Sequence, residues 1–181
     1  MTLVEKSLDQ MMDEISFTYV ALAESWIPER NPESYCVRNV PEYGVYVNLS
    51  PRYLERILTA IPSETEIVPD HLLRTVVAQV MENSLTRSHN TDLSLPISVK
   101  ILAGENGCII RIRDSGNGFD HQQALQQLRT GGSPQYQGTG MGLLVFNLPL
   151  LEVAYEGDGS IINIMIPKDY RAISLEEAWK W

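Results

Sequence analysis

Basic residues, cysteine and long apolar runs are all scarce in this chain, and each scarcity removes a class of function. Lys and Arg total 14 against 23 Asp and Glu, a formal net charge of −9. Phosphate backbones reward Lys and Arg, so no nucleic-acid partner is expected, and an anionic lipid surface is equally unfavourable. The two cysteines, Cys36 and Cys108, are too few for a disulfide framework, which favours the reducing cytosol. Cys108 lies in an alternating apolar run and reads as a small core residue. No CxxC or HExxH zinc pattern occurs. No apolar stretch approaches the length of a transmembrane helix. The opening "MTLVEKSLDQMMDE" has neither the basic start nor the apolar run of a signal peptide. A cytoplasmic protein with no membrane partner is the expectation.

What is present suits one domain, or one domain with an extension: 181 residues, 44% hydrophobic and 20% charged. Residues 3–24 place Leu8, Met11, Met12, Ile15, Tyr19 and Leu22 at helical spacing, which predicts an amphipathic helix. Residues 26–43, with Pro28, Pro32 and Pro41, read as a connector. "YGVYVNL" (Tyr43–Leu49) predicts a strand, and Ser50 followed by Pro51 predicts a helix start, with Pro62 as the stop after Ile61. Asp70 to Ser88 is the longest periodic run, with Leu72, Leu73, Val76, Val77, Val80, Met81 and Leu85 on one stripe. "ISVKILA" and "GCIIRIRD" around "GEN" predict a hairpin, and so do "EVAYE" and "SIINIMI" around "GDG". Between the hairpins, a helix is expected from Asp120, capped through Gln123, to about Arg129. A glycine-rich loop and a short helix over 142–148 should follow, and a tail over 168–181 carries Trp179 and Trp181. The pattern predicts an α+β two-layer sandwich, its mixed, mostly antiparallel sheet covered by helices on one face. The expected division is 1–43 as a helical extension and connector, 44–167 as the main domain and 168–181 as a tail.

Three short motifs interrupt this pattern. In "QVMENSLTRSH", Gln79, Asn83 and Arg87 share a helical face, with Glu82 and Thr86 one position round. The row is either a solvated face or a site: an Asn oxygen suits Mg²⁺, and Arg87 suits a phosphate. In "DSGNGFD", at a strand end, Asp114 can accept from an exocyclic amine while Gly116 and Gly118 let backbone approach a flat ring. The same residues also make an ordinary turn. "GTGMGL", Gly138 to Leu143, presents backbone N–H groups ahead of a helix, which suits an anion, or it is a flexible linker. It lacks the Lys of a Walker A loop.

In this order and spacing the three motifs resemble the GHKL ATPase superfamily. Its members include histidine kinases, anti-sigma-factor serine kinases, mitochondrial dehydrogenase kinases, and the gyrase and Hsp90 ATPases. The resemblance covers residues 44–167 and implies the Bergerat ATP-binding fold, with ATP and Mg²⁺ as cofactors. It implies that Asn83 binds the metal, that Asp114 reads adenine, and that Gly116 and Gly118 lie beside the ring. Gly138, Gly140 and Gly142, with Thr139 among them, match the phosphate loop, and "TGGSPQYQ" matches the ATP lid. Ser160 sits where these families often carry a Thr that supports the aspartate through water, and Arg87 joins the nucleotide-binding set.

Within the superfamily, layout and length most resemble the anti-sigma-factor serine kinases, through "YVNLSPRYLERIL", "GNGFD" and "GMGLLVFNLPLLEVAY". That likeness implies a small dimeric regulator in signal transduction that phosphorylates Ser or Thr of an antagonist and sequesters a sigma-like factor. "MENSLTRSH" and "LPISVKI" resemble the mitochondrial dehydrogenase kinases over a shorter span. A histidine kinase would need a separate phosphoacceptor protein, because His71, His89 and His121 all lie in the ATP-binding region. One position departs from the serine-kinase pattern: Gln79 stands where those members place a Glu. A neutral amide takes no proton from a serine hydroxyl. Gln79 and Glu82 are nevertheless the candidate catalytic pair. Three readings follow: a Ser/Thr kinase of a partner-switching module, an ATP-sensing binding module, and a stand-alone histidine kinase domain.

Overall fold

The computed structural model describes residues 2–40, 44–61, 70–85, 91–118, 120, 122 and 151–168. In chain order these form β1 (Thr2–Leu3), α1 (Leu8–Glu14), β2 (Phe17–Trp26), β3 (Tyr35–Val40), β4 (Gly44–Leu49), α2 (Pro51–Leu58), α3 (Asp70–Asn83), β5 (Ile97–Gly104), β6 (Gly107–Arg113), β7 (Glu152–Glu156) and β8 (Ile161–Pro167). Six strands make one sheet in the order β1-β7-β8-β6-β5-β2, and β3 pairs with β4 separately. Only β1 and β7 run parallel; the other paired strands are antiparallel. The architecture is the expected α+β arrangement on a mostly antiparallel sheet, but the helices are not confined to one face as expected: α2 and α3 cover one face and α1 packs on the other.

Alternation in the strands decides which face is covered. Ile97, Val99 and Ile101 of β5, Cys108, Ile110 and Ile112 of β6, and Ile162, Ile164 and Ile166 of β8 join one buried cluster. Leu73, Val76, Val77, Val80 and Met81 of α3, Ile57 and Leu58 of α2, and Leu85 just beyond α3 complete it. Each such aliphatic side chain contributes about 1.5–3 kcal/mol on burial, so this layer dominates the stability. Intermediate positions of the strands point the other way. There Leu102, Ile109, Ala154 and Met165 pack on Met11 and Ile15 of the α1 segment, a smaller second cluster on the opposite face.

Helix ends follow their local chemistry. Ser50 Oγ accepts from Tyr53 N at 3.3 Å, and Pro51 opens α2, as the sequence predicts. The α-helix ends at Leu58 with a turn to Ile61; Pro62 lies outside the described residues. α3 ends as an α-helix at Asn83 and widens into a π turn at Ser84 and Leu85. Its expected last residues, 86–88, lie outside the described part, as do the expected helix over 142–148, the loop before it, the two C-terminal tryptophans and, apart from Asp120 and Gln122, the expected helix over 120–129.

The N-terminal expectation of one helix over 3–24 is corrected. Only Leu8–Glu14 is helical, fixed by a reciprocal cap in which Gln10 N donates to Ser7 Oγ and Ser7 N to Gln10 Oε1. Residues 17–26 form β2, which pairs with β5 from Phe17↔Gly104 to Trp26↔Ile97. "FTYV" favours a pleated strand, and the β5 edge supplies the hydrogen bonds that a helix would have made internally. Tyr19, expected on an apolar helical stripe, is 55% exposed. The expected connector over 26–43 also contains a strand, β3, in register with β4 from Tyr35↔Leu49 to Val40↔Gly44. Pro28 and Pro32 each open a short 3-10 turn. Trp26 stacks on Tyr53 at 4.7 Å and donates to Ser34 Oγ at 2.8 Å, closing this corner against α2.

Candidate functional site

Two groups of the predicted residues come together. The first is on α3. Gln79 is buried, with 9% of its surface exposed, among the core positions Val76, Val77 and Val80. Its Nε2 donates to Asn83 Oδ1 at 3.4 Å, one turn later, while Asn83 itself is exposed. So this end of the polar row is not a solvated face: Gln79 is inside, and Asn83 carries the row to the surface. Glu82 is half-buried and lies about 100° round the helix from Asn83. Just past Asn83, Ser84 Oγ donates to Val80 O at 3.1 Å, and Thr91 N donates to Leu85 O at 3.0 Å. Thr91 takes φ 63°, a left-handed conformation rare outside glycine. Arg87 lies outside the described residues.

The second group is two turns in contact. Asp114 follows β6 and is buried, 8% exposed. Its N–H donates to Ser160 O at 3.0 Å, and its Oδ1 accepts from Gly116 N at 2.9 Å. Ser115 Oγ ties the turn to Pro96 O at 3.1 Å. Gly118 has φ 64°, and a Cβ there would lie 2.3 Å from Asp158 O. The carboxylate is therefore held at the strand end by backbone on one side and by its own turn on the other. Ser160 does stand beside Asp114, but through its carbonyl. Its hydroxyl and N–H serve Asp158 instead, the N–H at 3.1 Å, and these bonds hold the Asp158 carboxyl below the usual carboxylate range, with Arg113 adding to the effect.

Asp158 is the residue of this region that sequence reasoning passed over. Its signal was the "GDG" turn, read only as a hairpin end. A second omission lies on the face opposite α3. Asn163, fully buried within the apolar run of β8, accepts from Arg111 at 2.8 Å and donates to Glu156 Oε1 at 2.7 Å. Arg111 grips both oxygens of Glu156 at 2.6 and 3.0 Å and holds that carboxyl below its usual range against the cost of burial. The cluster joins β6, β7 and β8 and is structural.

The donor set fits a nucleotide. A buried carboxylate beside close-approaching backbone suits a flat base with an exocyclic amine, and an exposed carboxamide oxygen at a helix end suits a hard cation. Gly138, Thr139, Gly140 and Gly142 lie outside the described residues, and so does the segment expected as a lid. Among the described residues, no helix is long and apolar enough to cross a membrane. No curated protein matches the chain. The family model for the histidine kinase-, DNA gyrase B-, and HSP90-like ATPases matches residues 69–170, a span that begins just before α3 and runs past β8. The chain belongs to this family of ATP-binding domains.

Proposed function

We propose that this protein is a regulatory kinase that binds Mg·ATP and transfers the γ-phosphate to Ser or Thr of a partner protein in a partner-switching module. The observations that carry the nucleotide half are a buried Asp114 on a tight glycine turn and an exposed Asn83 at the end of α3. Asp114 orients the base by accepting from its amine. Asn83 offers its oxygen to Mg²⁺, which keeps waters and takes few protein ligands. When bound there, Mg²⁺ would supply neutralisation of the phosphate charge. Gly138, Thr139, Gly140 and Gly142 are assigned to the phosphates, with Arg87 a further cation for them. The Ser/Thr assignment is supported by the layout of β4, the Ser50 cap and α2, which pack with α3 and carry the "YVNLSPRYLERIL" likeness.

Gln79 leaves the reaction without a base at the usual place. A loose phosphoryl-transfer transition state depends more on positioning and charge than on proton abstraction, so slow transfer is compatible with a neutral residue there. A second reading, an ATP-sensing module that grips its partner without transferring phosphate, is favoured by the same residue, since Gln79 is committed to Asn83. Incubation of the protein with γ-labelled Mg·ATP and a lysate of its source separates the readings. Acid-stable label on a small protein supports Ser/Thr transfer. Acid-labile label points to a histidine acceptor. Absence of label, with ATP still raising the melting temperature, favours the sensor.

A further inference from the structure

Gln79 is a polar side chain in an apolar flank, and the bond it makes is to the atom most suited to a cation. Nε2 reaches Asn83 Oδ1 at 3.4 Å, the long end of hydrogen bonding. A pair of carboxamides is reversible. Turning both exchanges this bond for one from Asn83 Nδ2 to Gln79 Oε1, so the buried amide keeps a partner either way. Terminal amide torsions are broad, so the exchange meets little torsional resistance. The two arrangements differ sharply towards a cation. In the one observed, a partly positive N–H is directed at Asn83 Oδ1. In the exchanged one, Oδ1 is released from Gln79 and Nδ2 faces inward.

We propose that Gln79 is a positioning residue that makes engagement of a divalent cation depend on a coupled turn of the Gln79 and Asn83 carboxamides. The inference rests on the nucleotide reading above. An ionised Glu at this position only accepts hydrogen bonds, so it would hold only the arrangement with Asn83 Nδ2 turned inward. Gln79 permits both, and thereby lowers the standing affinity of Asn83 for the cation. Mg²⁺ is then engaged chiefly when nucleotide phosphates share its coordination. A row that looks like a damaged catalytic pair becomes a two-position switch.

The test compares ADP titrations of the full chain with Mg²⁺ and with a chelator, for wild type and Gln79→Glu. It adds side-chain amide NMR of the wild type labelled with ¹⁵N. The expected result is that Mg²⁺ strengthens ADP binding on the order of tenfold more in Gln79→Glu than in wild type, through the freed oxygen and the added carboxylate charge. In the wild type, Mg·ADP should move the NH₂ resonances of Gln79 and Asn83 together, and ADP with chelator should move neither. An equal Mg²⁺ enhancement in both proteins, or an Asn83 shift without one at Gln79, overturns the coupling and leaves nucleotide binding standing. Failure of ADP to bind either protein, with or without Mg²⁺, overturns both.

Discussion

Gly118 and Gly157 adopt nearly the same left-handed backbone, with φ of 64° and 62°, in two turns that lie side by side. They differ in the space around them. A Cβ at Gly157 would meet nothing within 4 Å, whereas one at Gly118 would lie 2.3 Å from Asp158 O and 2.9 Å from its carbonyl carbon. Alanine at either site bears the left-handed penalty, about 1 kcal/mol. Only Gly118→Ala must also push backbone apart, because its obstacle is a carbonyl and not the end of a flexible side chain. Overpacking of this kind adds about 1–3 kcal/mol, so Gly118→Ala should cost about 2–4 kcal/mol in all. At this chain length each kcal/mol lowers the melting temperature by about 2–4 °C. Thermal unfolding should therefore fall by about 3 °C for Gly157→Ala and about 10 °C for Gly118→Ala. The displaced turn also carries the Gly116 N–H that Asp114 accepts, so ATP affinity should drop in Gly118→Ala and hold in Gly157→Ala. Equal losses of stability in the two variants would refute the close approach of Gly118 to Asp158, and unchanged ATP affinity in Gly118→Ala would refute the role given to this turn.

Other perturbations separate other parts of the account. Met11 is fully buried against Leu102, Ile109, Ala154 and Met165, so Met11→Ala should cost about 2–5 kcal/mol by chemical denaturation; a loss below about 0.5 kcal/mol would mean that α1 does not belong to the core. The Glu156 carboxyl is depressed chiefly by its hydrogen bonds from Arg111, so its stabilisation is complete above the ordinary value of 4.5 and is lost as pH falls through the lower folded value. Glu156→Gln should cost about 1.5–3 kcal/mol at neutral pH and flatten the fall of stability below pH 4.5, measured by denaturation across pH. A saturating nucleotide should stabilise the wild type by about 2.7 kcal/mol at a hundredfold excess over Kd, read as a rise in melting temperature.

The parts of the fold legible in the sequence are those whose signals are local. Ser50 and Pro51 mark the start of α2, the turn at Glu105 and Asn106 joins β5 to β6, and the β7–β8 hairpin follows from alternation around "GDG". α3 is readable because its stripe is long and continuous. The N-terminal segment is not, since the helical spacing of Leu8, Met11, Met12 and Ile15 continues by coincidence through Tyr19 and Leu22. What ends the helix there is Ser16 in a left-handed conformation, φ 50°, and pairing with β5 some 80 residues away in the chain, which no local window contains. The site was legible to the same degree. Helical spacing aligns Gln79 with Asn83, but only packing buries Gln79 and leaves its amide facing Asn83. Asp158 escaped notice because its importance lies in an approach to Gly118 across two turns.

The most direct test of the central claim, that Asp114 anchors a bound adenine nucleotide, is a calorimetric titration of ATP into wild type and Asp114→Asn. Asn keeps the oxygen that accepts from Gly116 N–H but removes the charge, so the fold should persist. The account predicts saturable binding at one ATP per chain for wild type, and an affinity at least about tenfold weaker for the variant, the worth of one hydrogen bond to a charged group. Wild type that fails to bind ATP, or an Asp114→Asn protein that binds it equally well, would contradict it.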